Sequence, residues 1–262
     1  MKLKIYTLLV CIPMVMVLGC KKYTDIVPKG QNLLNRVNDL DLLLNVNYQG
    51  NSAFNFTKQA ILVNDMYSHA MNVPAIISSN VQTINKILLI YDEAADRASL
   101  TAADAPYEGI YKIISTVANI VIANADKATG DQQLKNQVKA EAYVLRAYLH
   151  YLLVNVYARA YDPATAATDG GIPYVTDIDF QQVNKKNTVQ EVYDGILSDV
   201  NAGISSGALP GQPVNYMRAG KGFAYAVKAK VLLSMRKYAE ALDAVNEALK
   251  FNSVLEDHRP LL

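Results

Sequence analysis

Covalent or metal chemistry in this chain would have to come from few side chains. The 262 residues contain two cysteines, Cys11 and Cys20, and three histidines, His69, His150 and His258. Beyond residue 20 there is no thiol for a nucleophile, a disulfide framework or a thiolate zinc site, and three dispersed histidines supply metal sites and triads poorly. Carboxylates are the remaining catalytic material. Asp92, Glu93 and Asp96, with Asp65 upstream, are the candidates for glycosidase work. That chemistry needs two carboxyls about 5 to 9.5 Å apart across a sugar. Nothing in the spacing sets up such a pair, and acids in the run Tyr-Asp-Glu-Ala-Ala-Asp-Arg read as a solvated face. Two glycine segments, Gly170-Gly171-Ile172-Pro173 and Ala219-Gly220-Lys221-Gly222, lack the Gly-Lys-Ser/Thr of a phosphate loop. The first reads instead as a turn that needs positive φ. The expectation is a protein that is no enzyme and holds no cofactor and no metal.

Non-covalent recognition is better supplied. There are 17 tyrosines and 5 phenylalanines but no tryptophan. A phenol has an apolar face and one polar tip, which suits both helix packing and stacking on a sugar. Tyr143, Tyr148, Tyr151 and Tyr157 recur at helical spacing and are expected mostly between helices. Arg146 sits among apolar residues with Glu141 five positions earlier. A guanidinium there needs several acceptors to offset its desolvation, so it reads as a structural group pairing with a carboxylate or loop carbonyls and pinning the 157–180 loop. Lys and Arg number 25 against 24 Asp and Glu, a balance without the basic excess of nucleic-acid binding.

The elements that must position these groups are helices. Half of the residues, 51%, are hydrophobic, enough for a sizeable core. Leu33, Leu34, Val37, Leu40, Leu43 and Leu44 predict a helix between Gln31 and Asn47, with Asn32 as a cap. Residues 49–103 read as loops with one or two short helices. Asp104 and Pro106 open a helix lined by Ile110, Ile113, Ile114, Val117, Ile120 and Val121, and Gly130-Asp131 ends it. Leu134 to Arg159 carries Leu134, Val138, Leu145, Leu149, Leu152 and Val156 at i, i+3/i+4 spacing. Tyr161 to Gln182 is a loop. Thr188 and Glu191 form a capping box for the helix with Val189, Val192, Ile196 and Val200. Ala219–Arg236 and Tyr238–Phe251 close the chain, and their alanines allow close antiparallel approach. "AKVLLSMRKYAEALDAVNEAL" resembles one tetratricopeptide repeat, and the Lys139–Tyr157 and Thr188–Ser205 helices suggest a second, irregular unit. The fold class expected is all-α, built of tetratricopeptide-like helical hairpins with long loops.

The N-terminus reads as an address. Lys2 and Lys4 precede an apolar run from Ile5 to Leu18. Fourteen residues span about 21 Å as a helix, short of the roughly 30 Å bilayer core, and the pattern suits a secretory signal. Val17-Leu18-Gly19-Cys20 resembles a bacterial lipoprotein signal, which implies removal of residues 1–19 and acylation of Cys20. More than one acyl chain gives a stable membrane anchor. Lys2 and Lys4 would go with the signal, leaving 23 basic and 24 acidic residues.

Five stretches together resemble the SusD/RagB family of outer-membrane nutrient-binding lipoproteins. They are "VNDLDLLLNVNY" (37–48), "PYEGIYKIISTVANIVIANAD" (106–126), "VKAEAYVLRAYLHYLLVNVYARAYDPATAATDGGIPYVTD" (138–177), "TVQEVYDGILSDVNAGISSGALP" (188–210) and the repeat-like pair after it. Tyr107 stands where the family's second motif usually begins with Trp. The resemblance runs over roughly residues 20–250, and the family's C-terminal part is absent, since members are about twice as long. It implies a SusD-like α-solenoid that captures an oligosaccharide or other nutrient at the outer membrane, facing outward. The partner implied is a TonB-dependent SusC-like transporter. Residues 20–262 would form the N-terminal helical domain. The resemblance also implies that the stretch before the Tyr107 helix helps to build the ligand surface, making Tyr67, His69, Asn72, Asn80 and Tyr91 the candidate contacts. Two other readings stay open, a helical-repeat lipoprotein that binds only proteins and an anchored enzyme.

Overall fold

A computed structural model describes residues 34–48, 50–56, 73–92, 94–96, 98–100, 104–178 and 184–254. The first helix, α1, runs Val37–Leu43, shorter than the 31–47 pattern suggests. Its start is fixed by pairing outside the helix. Val37 N–H donates to Thr129 O (2.9 Å) and Thr129 N–H donates to Asn35 O (2.7 Å). Residues 35–37 are therefore committed to a bridge with 129, and extended Arg36 takes the N-cap place. Asn32 lies outside the described residues. The expected irregular stretch holds two short helices, α2 (Val73–Ser78) and α3 (Ile84–Leu89), and 3-10 turns at Ser52–Phe54 and Ala98–Leu100.

Helix α4 (Ala105–Ile113) begins as its sequence indicates. The Asp104 carboxylate accepts from Tyr107 N–H at 3.4 Å, and Pro106 fills the first turn, where its missing N–H costs nothing. The chain then widens into a π-helical turn, Ile114–Ala118, before α5 (Asn119–Asn124). Gly130 follows at φ 120°, and a Cβ there would stand 2.6 Å from Val37 Cγ1. Only glycine meets both conditions, so this corner ties α5 to α1.

Helix α6 (Gln132–Tyr157) is capped by Asp131, which accepts from Leu134 N–H at 2.7 Å. Helix α7 (Val189–Ser205) opens with a reciprocal capping box. Glu191 N–H donates to Thr188 Oγ1 (3.2 Å) while Thr188 N–H donates to Glu191 Oε2 (2.8 Å). Helices α8 (Lys221–Ser234) and α9 (Tyr238–Leu249) follow. α6 packs on α7, α8 packs on α9, and α7 joins the pairs, so two helical hairpins stack in the tetratricopeptide manner. Small residues set the spacing. A Cβ on Gly203 of α7 would come 2.7 Å from Val144 Cγ2 and 3.0 Å from Ala140 O of α6. Ala229, Leu232, Ala241 and Ala244 form the core of the second hairpin, with Leu197 of α7 against it. Among the described residues no strand forms, and there are two isolated bridges. None of the described helices is long and apolar enough to cross a membrane. Residues 35–262 make up one compact unit.

Candidate functional site

A buried polar network on α6 fixes the long loop 158–178. Arg146 donates from Nε and Nη2 to both oxygens of Asp199 on α7 (2.6 and 2.7 Å) and from Nη1 to Asn119 Oδ1 on α5 (3.0 Å). The carboxylate it meets is thus Asp199 and not Glu141. Burial opposes the Arg146 charge, but the bonds to Asp199 outweigh it and raise its pKa above the ordinary value. Asn119 passes the grip on: its Nδ2 donates to Val175 O (3.2 Å) and Asp177 O (2.9 Å). Tyr174 OH donates to Asp199 Oδ2 (2.6 Å), and Tyr111 OH of α4 donates to Pro173 O (2.8 Å).

His150 completes the network as a neutral ring. Val175 N–H donates to its Nε2 at 3.0 Å, so that nitrogen is an acceptor. Its Nδ1 lies 3.0 Å from Arg146 O and must be the donor. The ring stacks on Tyr174 with centroids 4.0 Å apart. Burial is the main reason its pKa falls from 6.5 to about 3, and the nearby Arg146 charge adds to it.

Gly170 and Gly171 are not at positive φ, contrary to the turn expected there. At Gly171 backbone approaches backbone, whereas a Cβ on Gly170 would meet only the end of the Lys186 side chain, at 3.1 Å. A Cβ on Gly171 would sit 2.9 Å from the Thr188 carbonyl carbon and oxygen. The close approach lets Gly171 N–H donate to Asn187 O (2.8 Å) and Asn187 N–H donate to Ile172 O (3.2 Å). The loop is thereby stitched to the residues that cap α7.

Glu141 belongs to a second buried pair. It accepts from Arg218 Nε at 2.6 Å and from Gln137 Nε2 at 2.8 Å. Arg218 also donates from Nη1 to Asp41 O (3.0 Å), and its Nη2 lies 2.8 Å from Asp41 Oδ1. Burial works against this guanidinium, and its bonds to Glu141 more than offset that, raising its pKa. The pair ties α1, α6 and the 206–220 turn together. It also floors a cavity of about 320 Å³ walled by Tyr48, Tyr148, Tyr216 and Phe223. Tyr148 meets Phe223 edge to face at 5.1 Å. Burial pushes the Tyr48 phenol up to about 12. A larger hollow of about 850 Å³ lies along α8 and α9, where Leu233, Tyr238, Leu242 and Leu249 are each at least half exposed.

Of the residues expected to bind ligand, Tyr67, His69 and Asn72 lie outside the described residues, as does Cys20. Asn80 is exposed between α2 and α3, and Tyr91 is exposed just after α3 at φ 53°. The tyrosines of α6 reach neighbouring elements: Tyr151 OH lies 3.2 Å from Ser234 Oγ, and Tyr157 OH donates to Asp104 Oδ1 at 2.8 Å. Sequence reasoning missed Asp199, Asn119 and Arg218. Asp199 left a readable signal, since it falls three residues after Ile196 on the apolar stripe of α7. Arg218 left none, because it comes from an aperiodic turn. Among the described residues no cluster of three or more potential ligands could hold a metal ion.

Residues 26–233 match the SusD-like family described as "Starch-binding associating with outer membrane". A SusD-like protein P2 of Formosa agariphila is 30% identical over 154 residues, which is 56% of this chain and 28% of that protein. Two solved structures share the fold. A SusD superfamily protein of Bacteroides thetaiotaomicron aligns at TM-score 0.62 and 19% identity, covering 86% of this chain and 49% of that one. A SusD-like carbohydrate binding protein of Bacteroides vulgatus aligns at TM-score 0.62 and 18% identity, covering 86% and 47%. The chain spans about half the length of these two solved structures.

Proposed function

The chain belongs to the SusD-like family, and from that premise we propose that it is a non-enzymatic surface lipoprotein that binds a glycan and hands it to a TonB-dependent SusC-like transporter. The observation that carries this reading is the family match over residues 26–233, in a family described as starch-binding and associated with the outer membrane. The physical roles divide accordingly. Residues 1–19 act as the export signal, Cys20 carries the acyl anchor on the outer membrane, and the stacked hairpins form a stiff support. A buried ion-pair network like that of Arg146 and Asp199 suits a support more than a reaction centre, because each guanidinium nitrogen of Arg146 already bonds a protein acceptor.

Two assays test the reading. The purified chain is expected to be retarded in native gels containing starch or another soluble glycan, with no release of reducing sugar. Retention by none of a broad glycan panel would remove the ligand claim, and hydrolysis would remove the non-enzymatic one. Labelled palmitate should enter the wild-type chain and not Cys20→Ser; equal labelling of both would refute the anchor. The second reading, a helical-repeat lipoprotein that binds only proteins, is favoured by one feature, the exposed apolar face of α8 and α9. Co-purification of a TonB-dependent transporter together with glycan binding decides for the first reading.

A further inference from the structure

The geometry points to the cavity between α1, α6 and the 213–223 segment as a subsite for a neutral saccharide, a proposal that rests on the glycan-binding reading and specifies where and what kind. It is a different place from the Asn80 and Tyr91 surface. Its volume of about 320 Å³ falls at the small end of ligand clefts. Three phenols and one phenyl ring, Tyr48, Tyr148, Tyr216 and Phe223, stand around it. Tyr216 is 73% exposed at its rim, an aromatic ring left in water where burial would be favourable. Among the described residues neither the Tyr48 nor the Tyr148 hydroxyl has a hydrogen-bond partner. Both residues line the cavity, which therefore sets phenols without partners among the described residues beside aromatic rings. A sugar presents the matching pair, hydroxyls for the phenols and C–H faces for the rings.

The charges select within that class. Glu141 and Arg218 line the cavity as an ion pair at 2.6 Å; Arg218 Nη2 lies 2.8 Å from Asp41 Oδ1 without a hydrogen bond, so two carboxylates balance the one guanidinium. Among the described residues that line the cavity, an acidic or sulfated sugar would meet one guanidinium already matched by two carboxylates. A neutral sugar needs no cation. The other hollow, along α8 and α9, is larger but has one tyrosine in its lining, Tyr238, against three here.

The test is isothermal titration of the purified full chain with three neutral hexasaccharides, maltohexaose, cellohexaose and laminarihexaose, and with hexagalacturonate as the acidic counterpart. Tyr216→Ala removes a stacking face from an exposed position, and Tyr148→Phe removes one hydroxyl and keeps the ring contact with Phe223; circular dichroism melts check that both fold. The expected result is binding of at least one neutral hexasaccharide, weakened about tenfold in Tyr216→Ala and about threefold to tenfold in Tyr148→Phe. Wild-type affinity in both folded variants would overturn the subsite and leave glycan binding elsewhere on the chain intact. Binding of hexagalacturonate alone would overturn the neutral preference. Binding of none of the four, together with no retention on the wider glycan panel, would remove the glycan reading itself and the subsite with it.

Discussion

Lowering the pH should destabilise this protein through one ring. His150 is fully buried, accepts a backbone bond at Nε2 and donates at Nδ1. Protonation would turn the Nε2 acceptor into a donor facing the Val175 N–H, with the Arg146 charge close by. The folded-state pKa is about 3 against 6.5 for the free side chain. Because the folded value is depressed, the unfolded chain binds the proton first as pH falls. The stabilisation is therefore complete above pH 6.5 and declines between 6.5 and 3. Each pH unit well inside that window costs about 1.4 kcal/mol, so the loss is about 2 kcal/mol at pH 5 and about 3 kcal/mol at pH 4. Urea unfolding at pH 7.5, 6.0 and 5.0, extrapolated to water, measures it for wild type and for His150→Gln, which cannot titrate. The difference in stability between wild type and variant should shrink by about 2 kcal/mol from pH 7.5 to 5.0. A difference that stays constant with pH would refute the assignment of a neutral, hydrogen-bonded imidazole.

Two more perturbations probe the scaffold. Asp199→Ala leaves Arg146 buried without its bidentate partner and should cost about 3 to 5 kcal/mol; hydrogen exchange should also accelerate at Val175, and unchanged protection there would show that the network does not hold the loop. Gly203→Val forces a side chain into the α6–α7 contact, where even a Cβ would lie 2.7 Å from Val144 Cγ2. The expected cost is about 2 kcal/mol, a fall of about 4 to 8 °C in the melting midpoint, and an unshifted melt would contradict the close packing.

The helices from α4 onward were readable because their signals are local. Asp104, Asp131 and the Thr188–Glu191 box each act within one turn, and the apolar stripes repeat within one helix. What could not be read depends on distant partners. The start of α1 is set by Thr129, about ninety residues away in sequence and paired by two backbone bonds that carry no residue-type signal, with one more from its hydroxyl to Asn35 O. Arg146 was recognisable as a structural arginine, yet its partner was not, since Glu141 and Asp199 are equally carboxylates and only the α6–α7 crossing distinguishes them. Gly171 was legible as a required glycine for the wrong cause: a close approach of backbone leaves the same residue in the sequence as a left-handed turn. The aromatic cavity draws Tyr48, Tyr148 and Tyr216 from three separate segments, so no window of sequence contains it.

The widened turn at Ile114–Ala118 changes which side chains share a phase. In an uninterrupted α-helix, Tyr111 and Asn119 would be offset by about 80° around the axis, at 100° per residue. A π turn absorbs one additional residue, which brings the two within about 20° of each other. The phenol and the amide then act as a two-fingered clasp on consecutive stretches of one strap, Pro173 on one side and Val175 with Asp177 on the other. Tightening that turn to a regular α-helix with every residue kept would restore the offset of about 80° and rotate one finger away by roughly a quarter revolution, so the clasp depends on the width of the turn as much as on the identity of its residues.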